Sequence, residues 1–129
     1  GIDPSIEVLA VQSEQAPAGY LSWKQGQIVE AEMNTFAEGI ATRSGYELAQ
    51  SIICELLDDF LLVSDEEIHR AIGALVDKAH TLAEGAGATA LAGAIKYPEK
   101  VKGKKVAITV SGGNITAEQL SQSLEVYRS

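Results

Sequence analysis

The sequence predicts an α/β fold, a layered α/β/α arrangement with a mainly parallel sheet. Three observations predict it. Short runs of branched apolar residues, Ile6–Gln12, Phe60–Val63 and Val106–Val110, alternate with longer stretches whose apolar residues recur at helical spacing. Helix starts are marked by the capping-box spacing of Ser44 with Glu47, Ser64 with Glu67 and Thr116 with Gln119. The last apolar run ends abruptly in Ser111-Gly112-Gly113-Asn114, where two adjacent glycines let backbone turn sharply and approach whatever lies beyond the sheet. Ligands of open α/β sheets bind beyond the carboxyl ends of the strands, so this turn is a site candidate; a tight turn without a ligand is the alternative.

Taken in order, Ile6–Gln12 reads as a strand, and Pro17 suits the first turn of a helix that runs through Tyr20 and Trp23 to Gly26. Residues 27–43 show no clean period and read as a long loop, a kind of segment that is usually functional in a compact domain. Leu48, Ile52 and Leu56, with Ala49, Ile53 and Leu57, form a broad apolar stripe on a helix of about 13 residues ending near Asp58. Cys54 lies among those residues and reads as a small core side chain. Phe60–Val63 is a short buried strand, and the helix opened by Ser64 presents Ile68, Ala71, Ile72, Leu75, Val76 and Ala79 on one face. His69 falls off that face and is expected in solvent, while His80 ends the helix, where a cation suits the dipole. Neither histidine has a second histidine or a cysteine at ligand spacing, so no metal site is expected.

From Leu82 to Ile95 the side chains shrink to alanine, glycine and threonine. Small residues allow close helix–sheet packing, and equally the close approach of a flat ligand to a helix start. Glu84 opens this stretch; it is an acid at a glycine turn, explicable as a ligand contact or as a favourable charge at a helix N-terminus. Val106–Val110 is expected to be the last, buried strand, preceded by a solvated lysine-rich turn.

Composition narrows the function. With 129 residues, the chain is expected to form a single α/β domain over 1–129. Its net charge is −8, and no basic cluster exceeds Lys100, Lys102, Lys104 and Lys105, which argues against nucleic acid as a partner. One cysteine excludes an intrachain disulfide. No apolar run approaches a membrane span and no signal peptide opens the chain, so a cytoplasmic location without membrane contact is expected. The opening Gly1-Ile2-Asp3-Pro4-Ser5 reads as a loop from within a longer polypeptide or as the scar of an expression tag.

Three segments recur in one order: Glu38-Gly39-Ile40-Ala41, Glu84-Gly85-Ala86-Gly87-Ala88 and Ser111-Gly112-Gly113-Asn114. Together with Val11-Gln12-Ser13-Glu14 and the passage from Leu57 to Ile68, they resemble the carboxyl-terminal half of threonine dehydratases (threonine ammonia-lyases), fold-type II enzymes dependent on pyridoxal phosphate. Serine racemases share the pattern, and the resemblance covers nearly the whole chain. It implies that the chain is part of the large domain of such an enzyme. Ser111 would hydrogen-bond the pyridine nitrogen of the cofactor, Gly39 would bring backbone against it, Glu84 and Gly85 would lie beside the ring, and Gly112 would also bind the cofactor. A neutral hydroxyl need not keep that nitrogen protonated, so the ring is a milder electron sink. The implied reaction is β-elimination of water from threonine or serine, with deamination to a 2-oxo acid and ammonia. The family's Schiff-base lysine lies in a Ser-Phe-Lys context that no lysine here matches, and its glycine-rich phosphate loop is absent. The chain is therefore expected to be a carboxyl-terminal part with the upstream half missing, and to be inactive alone. Positions that hold an activating divalent cation in some relatives are Gln12 and Ala18 here, so no such site is expected. Expected partners are an amino-acid substrate, the amino-terminal half of the same protein and further copies of the intact protein. Two other readings are a serine-racemase-type enzyme and a non-catalytic α/β interaction module.

Overall fold

A computed structural model describes residues 3–129. Two parallel strands sit at its centre: β1 (Leu9–Ser13) and β2 (Asp59–Val63), in a register pairing Leu9 with Asp59 and Ser13 with Val63. Their residues alternate between two helical layers, as a period of two requires. Phe60 turns to one side, where it meets Tyr20 edge-on with ring centroids 5.8 Å apart and lies 6.0 Å from the Trp23 ring. Both belong to α1 (Ala18–Gln25), which Gly26 ends in the left-handed conformation at φ 68°. Val11 and Val63 join the core on the other side, formed by α3 (Asp65–Ala79) and α4 (Gly85–Lys96). The α/β/α layering and the parallel pairing are those the sequence predicts.

The core has its centre on α3. Val63, Ile68, Ala71, Ile72, Ala83 and Ala88 are completely buried. The capping box opening α3 is complete: Ser64 Oγ accepts from Glu67 N–H, and Glu67 Oε2 accepts from Ser64 N–H at 2.7 Å. The predicted α3 face holds through Leu75, but Val76 is half-buried and Ala79 exposed, because the helix runs out from under its neighbours there. The last helix, α6 (Ala117–Arg128), is opened by the equally complete box of Thr116 and Gln119 and packs along α3. A short helix, α5 (Pro98–Val101), follows α4.

Several sequence expectations need correction. The first strand starts at Leu9, not Ile6. The helix expected to open at Ser44 is α2 (Glu47–Leu56), shorter by a turn and with Tyr46 at its N-cap; Ser44 Oγ donates instead to its neighbour's carbonyl, Gly45 O. The α2 stripe does not face a core: Leu48 is 76% exposed and Leu56 60%, and Cys54 is exposed with them. The helical period holds but the burial does not, because α2 packs mainly on α1, through Gln50 and its neighbours. The loop of 27–43 is more ordered than a missing period suggests, since Glu30 bridges to Ser44 and Glu38–Ile40 form one 3-10 turn. His69 is buried, not solvated. The stretch Val106–Val110 is extended but joins no sheet among the described residues, and it is exposed throughout. Its residues favour strand backbone, but no neighbouring strand accepts its hydrogen bonds. The lysine-rich passage before it is partly anchored, with Lys100 Nζ at 2.5 Å from Asp59 Oδ2.

Candidate functional site

The site lies at the carboxyl ends of β1 and β2, where three chain segments meet over the start of α4. The first, residues 35–41, is held from below by Asp65 at the start of α3. Its Oδ1 accepts from Thr35 Oγ1 at 2.6 Å and from Ser13 Oγ at 2.9 Å, and its Oδ2 accepts from Phe36 N–H at 3.1 Å. This carboxylate therefore joins the end of β1, the start of α3 and the loop, in the place where a helix N-terminus favours negative charge. Fixed in this way, Phe36, Glu38 and Gly39 line one wall of a small cleft.

The second segment is Glu84-Gly85-Ala86. Backbone approach here is closer than side chains allow. A Cβ on Gly85 would lie 2.9 Å from Ala37 Cβ and 3.0 Å from the Phe36 ring; one on Gly39 would lie 2.8 Å from Ala86 Cβ. Glu84 is the N-cap of α4, yet its side chain makes no capping bond. It reaches instead to the third segment: Oε2 accepts from Asn114 N–H at 3.1 Å, while Glu84 N–H donates to Gly112 O at 2.9 Å. A Cβ on Gly112 would strike the Glu84 carboxylate, and one on Gly87 would lie 2.7 Å from Gly112 O. The glycines of the Ser111–Asn114 turn and of the α4 start are thus matched to one another across the site.

Of the residues expected at the site, Gly39, Glu84 and Gly85 line a single cleft, and Gly112 packs on the Glu84 side chain that forms part of it. Ser111, the preceding residue, is exposed and lines the adjoining cavity with Ile40, Thr89 and Ala90; Ala86 belongs to both spaces. All five residues therefore occupy one continuous region. Phe36, Asn114, Thr116 and Gln119 complete the cleft and were not singled out as lining residues. Thr116 and Gln119 carried a sequence signal, but one for a helix start; Asn114 was visible only as the end of the glycine turn. Gln12, where no cation ligand was expected, is buried: Oε1 accepts from Tyr20 N–H at 3.0 Å, and Nε2 donates to Thr42 Oγ1 at 3.3 Å.

No lysine lines the cleft. Lys96 Nζ lies between Glu14 Oε1 at 2.6 Å and Glu67 Oε2 at 2.9 Å. Burial works against its charge, but the two carboxylates prevail and hold its pKa well above the ordinary lysine value. On Glu67, burial again opposes ionisation, and the Ser64 N–H with the Lys96 ammonium outweighs it, lowering the carboxyl pKa. This triad is an ion-pair brace and offers no free amine.

Tight backbone approach, a polar rim and a position beyond parallel strands are the features of small-molecule sites in the class of open α/β proteins. The chain belongs to the family of pyridoxal-phosphate dependent enzymes, whose family model matches residues 2–112. It is 36% identical over 122 residues to the L-threonine ammonia-lyase of Thermotoga maritima, covering 94% of this chain and 30% of that protein. It is 34% identical over 122 residues to the serine racemase of Schizosaccharomyces pombe, covering 94% of this chain and 38% of that protein. Among solved structures, the processed form of threonine deaminase isoform 2 from Solanum lycopersicum superposes with a TM-score of 0.89 at 30% identity, over 97% of this chain and 37% of that one. Maize serine racemase superposes with a TM-score of 0.84 at 29% identity, over 96% and 41%. The chain thus spans between 30% and 41% of the length of these relatives. Among the described residues no helix is long and apolar enough to cross a membrane.

Proposed function

We propose that this chain forms the ring-binding side of the active site in a pyridoxal-phosphate-dependent threonine/serine ammonia-lyase. The observation that carries this reading is the cleft lined by Gly39, Glu84 and Gly85 beyond the carboxyl ends of the parallel strands, with Gly112 packed on the Glu84 side chain. Glycine lets these segments close on one another, and the cleft left between them suits a flat heterocycle laid against backbone. When bound, pyridoxal phosphate supplies an electron sink that weakens the bonds at the α-carbon of an amino acid. The chain's own contribution is positional. The Ser111 hydroxyl, exposed at the end of the Val106–Val110 stretch, would meet the pyridine nitrogen as a neutral partner and leave that nitrogen unprotonated. Gly39 and Gly85 would set the separation between the two walls, and Glu84 holds the Gly112–Asn114 turn in place.

The reaction on this reading is β-elimination of water from threonine or serine, with deamination to a 2-oxo acid and ammonia. The amine that forms the covalent link and the cradle for the phosphate would come from the amino-terminal part of the intact protein. The 129-residue chain alone is expected to be inactive and to give no absorbance change with pyridoxal phosphate. In the full-length polypeptide carrying this chain, Ser111→Ala should shift the cofactor absorption band and lower 2-oxo acid release from threonine. An unchanged spectrum together with an unchanged rate would remove Ser111 from the site.

A racemase is the second reading, because serine racemases match with nearly the same identity and superposition as the lyases. Measuring D-serine formation beside 2-oxo acid release from L-serine separates the two. If the full-length protein shows no absorbance change and no thermal stabilisation with pyridoxal phosphate, both enzyme readings fail in favour of a non-catalytic module.

A further inference from the structure

His69 is the one buried imidazole among the described residues, and nothing in the ring-binding reading uses it. Its ring lies flat against Phe36, with centroids 3.9 Å apart and planes 5° from parallel. The edge of Phe36 abuts Gly85, where a Cβ would come within 3.0 Å of Cε2. On its other side His69 Nδ1 is 2.8 Å from Ser123 Oγ on α6. Ser123 Oγ is also 2.7 Å from Gln119 O, so this hydroxyl links the imidazole to the α6 backbone. Gln119, one turn before Ser123, and Thr116, two turns before it, line the same cleft as Phe36.

We propose that His69 is a positioning residue that ties the two walls of the cleft to each other, gripping Phe36 by stacking and the first turns of α6 through Ser123. It lies outside the cleft lining, so it acts only through those two neighbours. Asp65, one helical turn earlier on α3, holds the Thr35 hydroxyl and the Phe36 backbone N–H; His69 then fixes the Phe36 ring. Without that grip Phe36 is free to leave Gly85, and α6 loses the bond that sets how closely Gln119 approaches. The width of the cleft is therefore determined from α3, behind both walls. Hydrogen bonds made inside a core carry this kind of geometric control, because their loss leaves buried groups unpaired.

The proposal rests on the cofactor reading of the cleft, and its test keeps the two separable. Full-length protein carrying this chain is compared with His69→Ala, His69→Phe and Ser123→Ala by hydrogen–deuterium exchange without cofactor, and by titration with pyridoxal phosphate. His69→Ala should speed exchange in residues 35–41 and in 116–123, and should weaken cofactor binding about tenfold, the factor expected for one lost buried interaction. His69→Phe keeps a flat ring against Phe36, so 35–41 should stay at the wild-type rate while 116–123 speeds up; Ser123→Ala should do the same. Wild-type exchange in both segments of a folded His69→Ala protein overturns the proposal. So does faster exchange spread equally through α1 and the rest of the chain, which would make His69 an ordinary core residue. Altered exchange with unchanged cofactor affinity also overturns it. If His69→Ala does not fold, the two milder variants decide the matter by the contrast between the segments. If the wild-type protein binds no pyridoxal phosphate, the cofactor reading fails, and the exchange pattern still decides whether His69 joins the walls.

Discussion

The α3–α6 interface and the Val106–Val110 stretch are both rich in branched apolar residues and end in opposite states. Around α3, Ile68 and Ile72 are wholly buried, and Gly73 lets the Tyr127 ring of α6 lie directly on the helix backbone. Along the other stretch Val106 is 50% exposed and Val110 40%, and the backbone makes no sheet bonds among the described residues. A helix satisfies its own backbone groups and needs a neighbour only for its apolar face. A strand needs a neighbour for both, so the same side chains without an adjacent strand leave the segment extended, exposed and unpaired. Stability in this chain should therefore be concentrated around α3 and thin along residues 106–110.

The sharpest way to break that contrast is Ile72→Ala. The side chain is completely enclosed, so the substitution should cost about 2–5 kcal/mol in urea unfolding, from lost transfer free energy and the cavity left behind. A cost under about 1 kcal/mol would mean that Ile72 is not enclosed by the core. Gly73→Ala tests the same interface from the opposite direction. A Cβ there would lie 2.6 Å from Tyr127 Cγ, near the root of a side chain that cannot swing away cheaply. Alanine favours helix over glycine by about 1 kcal/mol, whereas overpacking costs about 1–3 kcal/mol, so net destabilisation is expected. Net stabilisation would show that α6 can move off α3.

The sequence made the α3 half legible and left the other half ambiguous, for identifiable reasons. Capping boxes at Ser64 and Thr116 are local hydrogen-bond chemistry, so they could be read without knowing the rest of the fold. The box at Ser44 had the same spacing and did not form, because the chain enters α2 through an extended Tyr46. The glycines at 39, 85 and 112 marked close approach, and the coordinates bring them together; which atoms they approach depended on tertiary placement that no spacing encodes. Burial was hardest to read. Leu48, Ile52 and Leu56 follow a perfect stripe yet remain exposed, while His69, one position off the α3 stripe, is covered by Phe36 and α6. A position off the apolar face argues for solvent, and nothing nearby in sequence signals Ser123 as the partner of that imidazole.

Because His69 belongs to the packed half, its titration gives that half an acid limit. Burial pushes its pKa below the ordinary value near 6.5, against an opposing pull from the Asp65 carboxylate. The unfolded chain then binds a proton at a higher pH than the folded one does. The stabilising contribution is complete above about pH 6.5 and is lost as pH falls through the folded-state value. Urea midpoints measured downwards from neutral pH should fall in this window, and His69→Phe should flatten that part of the profile while the carboxylate-driven loss at lower pH remains. An identical slope in the variant would show that other groups set the acid limit.

The smallest effect is expected at Ile108, and it bears most directly on the contrast. In the 129-residue chain this side chain is 38% exposed on a segment without sheet partners among the described residues, so Ile108→Thr keeps the β-branched shape and leaves its hydroxyl within reach of solvent. The expected cost is within about 0.5 kcal/mol, as for surface positions generally. Made in the full-length polypeptide, the same change reports on something different. If residues 106–110 pair with a strand there, a hydroxyl enters an apolar interface and the cost should rise to about 1–3 kcal/mol. A cost that is equally small in both settings would mean the segment stays unpaired even in the intact protein. Ser111 would then stand at the end of a mobile arm instead of a fixed strand, and its proposed contact with the cofactor nitrogen would lose its geometric support.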